Sequence, residues 1–109
     1  MRKNPANPPK HLSTAARKWW KAIMAEYRID DPVGQLLLQT ALEAFDRMKI
    51  AAVVLDKEGP TFTDRYGQAR PHPAATVETN NRSQMMVALK ALNLDLEPQR
   101  DGPGRPPGV

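Results

Sequence analysis

Apolar residues near the amino terminus recur three and four residues apart, which is the spacing of one face of a helix. This face consists of Leu12, Ala15, Ala16, Trp19, Ile23, Met24 and Tyr27. Ser13 is a favourable amino-terminal cap, so we predict a first helix that begins there. Trp19 falls in the middle of the face, and Trp20, about 100° further round the axis, is predicted to seal its edge. Packing is therefore the favoured role of both tryptophans, although exposed aromatic rings beside basic groups can also stack on bases.

A second and longer helix follows a polar break. Asp30 or Asp31 can cap its start, and Pro32 fits the first turn, where a missing N–H costs nothing. Gly59 is a favourable carboxy-terminal stop, and Pro60 cannot continue the helix. These signals predict a helix of about 26 residues between the two ends.

The apolar positions of this second helix form two adjacent stripes, which together cover an arc wide enough to need partners on two sides. One stripe contains Val33, Leu37, Ala41, Ala44, Met48, Ala51 and Leu55, and the other contains Leu38, Leu42, Phe45 and Ala52. Two other short helices can hardly cover so much apolar surface. We therefore predict that Leu38, Leu42 and Phe45 form a contact with a neighbouring copy of the chain.

After Pro60 the pattern changes. Phe62 and Tyr66 alternate with polar residues before the turn-forming Gly67, so a short hairpin or an irregular loop is expected. A third helix then enters through His72 and runs to Asn93. The predicted fold is mainly α, with three principal helices and a short β-hairpin or loop before the last. We divide it into a basic, proline-rich arm (residues 1–11), a helical domain for DNA binding and oligomerisation (12–97) and a disordered tail rich in proline and glycine (98–109).

Charge is distributed unevenly. Residues 1–28 contain seven basic groups and one acid, whereas residues 29–59 contain three basic groups and six acids. A local positive excess attracts polyanions such as DNA, although a solvated, solubilising surface is the alternative. The candidate DNA contacts are the seven basic residues of this amino-terminal part, Arg2, Lys3, Lys10, Arg17, Lys18, Lys21 and Arg28. Contacts of lysine and arginine with phosphates add affinity but carry little sequence information.

The residues that catalysis requires are scarce. The chain has no cysteine, and its two histidines, His11 and His72, adjoin helix starts rather than ligand motifs. The paired acids stand at helix ends, where capping explains the first pair. We therefore expect no enzyme activity, no metal and no cofactor. No apolar run approaches the length of a membrane span, so a soluble, intracellular protein is expected.

The succession of these signals resembles a known family. The stretch from Pro9 to Trp20, PKHLSTAARKWW, is similar to the opening of the P27-type (HK97-like) small terminase subunits of tailed phages, with Trp20 the better match to their tryptophan. The resemblance continues in the same order through Asp31, Gly59, Gly67, His72, Pro73, Ala74, Leu94, Leu96, Pro98 and Arg100. Two departures fall near the carboxy terminus, where Asp95 replaces a usual glycine and Arg100 follows Pro98 more closely than usual.

The resemblance implies a non-enzymatic subunit of the DNA-packaging machinery. Such proteins form rings, bind double-stranded viral DNA and present it to a large subunit that carries the ATPase and nuclease. It also implies a location in the cytoplasm of an infected or lysogenic bacterial host, and the segment from Pro98 onward is the candidate for docking the large subunit. Two alternatives remain: a dimeric helix-turn-helix regulator, and a structural head-completion or adaptor protein without DNA affinity.

Overall fold

The computed structural model describes residues 6–93, and its elements follow the predicted order. They are α1 (Thr14–Tyr27), α2 (Pro32–Glu58), β1 (Thr61–Thr63), β2 (Ala69–Pro71) and α3 (Pro73–Ala91). The prediction of a mainly helical chain with a small hairpin before the last helix is confirmed. Arg2, Lys3 and the carboxy-terminal tail lie outside the described residues.

Capping side chains set the helix boundaries where the sequence predicted them. The Oγ of Ser13 accepts a hydrogen bond from the N–H of Ala16 at 3.0 Å, and Asp31 Oδ2 accepts one from the N–H of Gly34 at 2.8 Å. At the other end of α2, Gly59 has φ +85° and donates its N–H to the carbonyl of Leu55 at 2.7 Å. A positive φ favours glycine, so α2 ends there.

The long helix α2 lies between the other two helices. α3 runs back along it, since His72, at the start of α3, lies 2.8 Å from Glu58 at the end of α2. α1 also runs antiparallel to α2, because Ser13 contacts Asp46 while a short connection joins the end of α1 to the start of α2. At 1.5 Å per residue, α1 spans about 21 Å and α2 about 40 Å, so α1 covers only the first half of α2.

The main apolar core lies between α1 and α2. Its buried members are Leu12, Ala16, Trp20, Met24, Ile29, Leu38 and Leu42. The prediction that both tryptophans pack is confirmed for Trp20, which is 3% exposed in the core shared with α2, and is wrong for Trp19, which is 53% exposed. The buried residues of α1 follow a strict four-residue spacing through Ala16, Trp20 and Met24, and Trp19 lies about 100° away from that row.

The candidate contact between subunits also needs correction. Leu38 is fully buried and Leu42 is 4% exposed, both within the core of the same chain. Phe45 is half-buried and packs against that core. The pattern on α2 correctly indicated a need for partners on two sides, but α1 and α3 supply both of them. Leu38 and Leu42 are therefore covered before any second copy approaches.

On the side of α2 away from that core, the fully buried side chains are small, while Leu37, Met48 and Leu55 of the same stripe are half-buried. Ala41, Ala44 and Ala51 of α2 and Ala88 of α3 are buried outside the core around α1. Alanine has no side chain beyond Cβ, so two helices can approach closely along such a surface. Asn81 is buried on α3 and donates from Nδ2 to the carbonyl of Val77 at 2.9 Å.

The hairpin stands apart from these layers. β1 and β2 pair antiparallel, with Thr61 opposite Pro71 and Thr63 opposite Ala69. All residues of both strands are exposed. Across residues 6–93, no helix combines the length and the apolar character that a membrane crossing requires.

Candidate nucleic-acid interface

Two acids of α2 fix the start of α1. Ser13 donates its N–H to Asp46 Oδ2 at 2.9 Å and its hydroxyl to Asp46 Oδ1 at 2.5 Å. One turn earlier on α2, Glu43 Oε2 lies 2.7 Å from His11 Nε2. Negative charge at the amino-terminal end of a helix is favourable because the backbone N–H groups there are unpaired. These contacts set the orientation of α1 on α2.

The ionised form of Glu43 is stabilised by its neighbours. Gln39 donates from Nε2 to Glu43 Oε2 at 3.0 Å, and this bond, with the contact to His11 and the nearby charge of Arg47, lowers the pKa of Glu43. Partial burial opposes the shift but does not reverse it. Glu43 is therefore charged at neutral pH.

The segment before α1 folds back onto the helix. The buried indole of Trp20 donates from Nε1 to the carbonyl of Ala6 at 3.0 Å, and Leu12 donates its N–H to the carbonyl of Pro9 at 3.3 Å. Ala6 packs against the apolar core as well. The predicted arm is thus held against α1 over its described part, and Pro8 and Pro9 keep it out of a helix.

This folded-back segment and α1 form an open groove of about 510 Å³, which we call the basic groove. Its lining is Asn7, Pro8, Thr14, Arg17, Lys18 and Lys21. Three of the predicted DNA contacts therefore lie side by side in one concave surface, and none of its lining residues within 6–93 is acidic.

The cations of the basic groove have no acidic partner among residues 6–93. The ion pairs in that range are His11–Glu43, Arg70–Asp64, His72–Glu58 and Arg82–Glu78. Lys18 and Lys21 are exposed, and Arg17 is half-buried. Ammonium and guanidinium groups in this arrangement can donate to the oxygens of a phosphate chain, and the Asn7 amide and Thr14 hydroxyl can add neutral hydrogen bonds.

The structure separates the remaining candidates from this groove. Lys10 is exposed in the turn before α1 and does not line the groove. Arg28 is at the other end of α1, where its left-handed backbone (φ 53°) ends the helix. It lines a second concavity of about 410 Å³ between the helix ends, together with Tyr27, Ile29, Asp31, Val33, Gly34, Leu37, Ala91, Leu92 and Asn93.

Sequence reasoning missed Asn7, Pro8 and Thr14 as parts of the site. Nothing in the local pattern places a proline-rich segment back over a helix. The one available signal was Trp20, because a buried indole N–H needs an acceptor, and here a carbonyl of that segment supplies it.

Within the described range, no group of three His, Cys, Asp or Glu side chains is arranged to share a metal ion. That the chain is not an enzyme stays a prediction. Comparisons with protein-family models, curated proteins and solved structures find no match. The resemblance to small terminase subunits therefore stays a prediction based on the residues named above.

Proposed function

We propose that this chain binds double-stranded DNA through the basic groove and acts as the small subunit of a phage DNA-packaging terminase. The observation that carries the proposal is the meeting of Arg17, Lys18 and Lys21 in one groove where no carboxylate of the described part of the chain pairs with them. Unpaired cations at a concave surface raise the local concentration of a polyanion. The terminase part of the proposal is supported by the sequence resemblance.

The chemistry of the groove fits the DNA backbone better than base edges. Its cations sit on the first two turns of α1, whose start is already bonded to Asp46. Lysine and arginine donors that meet phosphates fix the position of a protein on the duplex without reading sequence. We therefore expect binding at this groove to depend strongly on salt and weakly on sequence.

Assembly into a ring is the second part of the proposal, and the surface assigned to it now changes. Val33, Leu36, Ile50 and Val53 of α2 are exposed in the single chain. Ile50 and Val53 lie on the half of α2 that α1 does not reach, and they are 65% and 59% exposed. Apolar residues left open in this way are suitable for contact with a second copy. A head-to-tail contact of this kind closes into a ring when the rotation permits it.

A ring would repeat the basic groove once per copy. Weak contacts on a shared duplex then combine through effective concentration, so that a groove of modest affinity can hold DNA firmly. The bound DNA would pass to a large ATPase and nuclease subunit, for which the segment from Pro98 onward is the proposed docking element. The corresponding location is the cytoplasm of the bacterial host.

The helix-turn-helix alternative has less support from the geometry. In that alternative α2 would be the recognition helix, free to enter a groove of DNA. Here α2 buries Leu38 and Leu42 in the core around α1 and carries a row of buried alanines where α3 packs along it. A structural head-completion or adaptor protein fits the same fold, and DNA affinity distinguishes it from the proposed function.

Fluorescence anisotropy with a labelled duplex of generic sequence tests the DNA-binding part. The parent is expected to bind with an affinity that falls steeply as salt rises. Replacement of Arg17, Lys18 and Lys21 together by alanine is expected to reduce the log–log salt slope by about two to three, at about 0.9 for each phosphate that is no longer neutralised.

The matched control removes the same charges elsewhere, through Arg47→Ala, Lys49→Ala and Lys57→Ala on the exposed side of α2. It is expected to keep most of the salt slope. Equal losses of affinity in the two triple variants would mean that overall charge, not the groove, holds DNA. A parent that does not bind DNA at all would remove the proposal and leave the adaptor alternative.

Light scattering coupled to size exclusion tests the assembly. A mass of several copies is expected, and Ile50→Asp with Val53→Asp is expected to lower it, while Val87→Asp on α3 is not. A parent that runs as a monomer would overturn the ring, and a dimer would favour a regulator.

A further inference from the structure

The tip of the hairpin, residues 64–68, is held in one conformation by a single carboxylate. Asp64 Oδ1 accepts from the N–H groups of Tyr66 and Gln68 at 2.8 and 2.9 Å, while its Oδ2 accepts from Arg70 Nε at 2.8 Å. The backbone closes the same turn, since Gly67 donates to the carbonyl of Asp64 at 3.0 Å. Gly67 has φ +79°, which suits glycine.

The base of the hairpin is tied to the helices. The rings of Phe62 and His72 meet edge to face with centroids 6.2 Å apart, and His72 is held by Glu58. An isolated two-stranded hairpin is only marginally stable in water. The contacts at its base and the hydrogen bonds at its tip are therefore needed to hold it in one conformation. The hairpin is therefore a fixed projection from the end of the helical pair.

The tip presents a cation stacked on an aromatic ring. The Cζ of Arg65 lies 5.7 Å from the ring centroid of Tyr66, and Tyr66 is 76% exposed. The charge of Asp64 is matched by Arg70, whereas no carboxylate within residues 6–93 pairs with Arg65. The tip therefore offers one unneutralised positive charge and one open ring.

The surroundings of this pair favour nucleic acid over protein as the ligand. Tyrosine and arginine also anchor protein contacts, but there they are normally set among other buried apolar residues. The residues next to the tip, Thr63, Gln68 and Ala69, are exposed and none of them is large and apolar, and the one large apolar residue of the strands, Phe62, lies against His72 at the base of the hairpin. An arginine at the end of a narrow projection can instead enter a groove of DNA, where the negative potential attracts it.

We propose that the hairpin tip is a second DNA contact, in which Arg65 enters a groove of the duplex and Tyr66 packs against its sugars. This inference rests on the proposed function, because it concerns the same duplex. It differs from the basic groove in kind, since the ring of Tyr66 contributes a contact that releases no counterion.

The hairpin tip and the basic groove also lie at different places along α2. The stretch of α2 from Asp46, where α1 begins, to Glu58, where the hairpin begins, is about 18 Å at 1.5 Å per residue. A duplex that met both sites would therefore be covered more widely by each copy than by the basic groove alone.

The test compares tip variants with groove variants in the anisotropy titration at several salt concentrations. Tyr66→Ala is expected to weaken binding about tenfold while leaving the salt slope unchanged, by analogy with the removal of an aromatic ring that packs on nucleic acid. Arg65→Ala is expected to weaken binding and to lower the slope by about one. Tyr66→Phe keeps the ring and Thr63→Ala changes the same hairpin elsewhere, so both are expected to bind like the parent. Because Tyr66 is exposed, an unchanged thermal midpoint is expected in each variant.

The outcomes separate this inference from the proposed function. If the triple groove variant loses affinity while Arg65→Ala and Tyr66→Ala do not, the hairpin contact is overturned and the proposed function stands. If the tip variants change the mass of the assembly but not DNA affinity, the tip contacts protein and the inference fails. If the parent binds no DNA, both fail.

Discussion

The two interfaces of α2 are built from different residues. Against α1 the buried contact contains large side chains such as Trp20 and Met24, whereas the fully buried hydrophobic residues of α2 outside that contact are alanines. A cluster of large side chains stabilises mainly through the apolar area that it removes from water. Buried alanines instead stabilise a helix pair by allowing the two backbones to approach closely. Such a contact leaves little room for a larger side chain.

The difference suggests that α3 and α1 are held on α2 in different ways. In the α2–α3 pair, buried alanines allow the two backbones to approach closely. α1 is attached to one half of α2 by one cluster of large residues and by the bonds from Ser13 and His11 to acids of α2. The DNA-binding element that we propose is thus the element with the shorter attachment. Substitutions at three positions test this contrast, in order of decreasing expected effect, and an acid titration then compares the hairpin with both interfaces.

Trp20→Ala is expected to cause the largest loss, about 3 to 5 kcal/mol of unfolding free energy, because it empties the centre of the α1 contact. Trp20→Phe retains most of the apolar volume but loses the bond to Ala6, so a smaller loss of about 1 kcal/mol is expected. Urea unfolding measures both. A loss below about 1 kcal/mol for Trp20→Ala would show that α1 contributes little to the fold.

Ala44→Leu tests the opposite interface by adding volume where none is free. We expect a loss of about 1 to 3 kcal/mol from overpacking, measured by the same titration. Ala22→Leu places the same change on an exposed position of α1 and is expected to stay within about 0.5 kcal/mol of the parent. Equal stability of Ala44→Leu and the parent would contradict close packing of α2 on α3.

Ser13→Ala removes both the cap of α1 and the hydroxyl that donates to Asp46, while the N–H of residue 13 can still donate, so a loss of about 1 kcal/mol is expected. A double-mutant cycle with Asp46→Ala distinguishes the two roles. A coupling energy of about 0.5 kcal/mol or more is expected because the two side chains are in direct contact. Zero coupling would assign the whole loss to capping.

Acid is expected to loosen the tip of the hairpin. The hydrogen bond from Arg70, followed by those from the N–H groups of Gln68 and Tyr66, lowers the pKa of Asp64 below its ordinary value of 3.8. Its contribution to stability is therefore fully present above that value and is lost as the pH falls through the lowered pKa. Amide exchange at Tyr66 and Gln68 should report the loss, and Asp64→Asn should remove the pH dependence. If the protection of these two amides from hydrogen exchange stayed constant on acidification, this role of Asp64 would be contradicted.

Local signals in the sequence were sufficient to predict where the helices begin and end. They were not sufficient to predict which elements pack against each other. Ser13, Asp31 and Gly59 act within one helical turn, so their capping roles could be predicted from neighbouring residues alone. Which residues cover the apolar surface of α2 depends on contacts between distant parts of the chain. That is why Leu38 and Leu42 were assigned to a second copy although α1 buries them.

The candidate site was also only partly predictable, because it depends on a contact between separate segments of the chain. Arg17, Lys18 and Lys21 could be predicted as neighbours because helical periodicity alone places them on one side. The groove in which they lie could not be predicted, because one of its walls comes from Asn7 and Pro8, which return over the helix through the bond between Ala6 and Trp20. The face of α1 was also misjudged, since Trp19 and Trp20 are equally apolar and only the four-residue row of Ala16, Trp20 and Met24 separates them.

The different surroundings of these adjacent tryptophans give the protein two intrinsic fluorophores. Trp20 is enclosed and its emission reports on the attachment of α1, whereas Trp19 meets solvent on the helix that also carries Lys18 and Lys21. Replacing one indole at a time by phenylalanine isolates the emission of the other. Detachment of α1 and the arrival of a ligand at its outer surface can then be followed as two separate optical signals, without an attached dye.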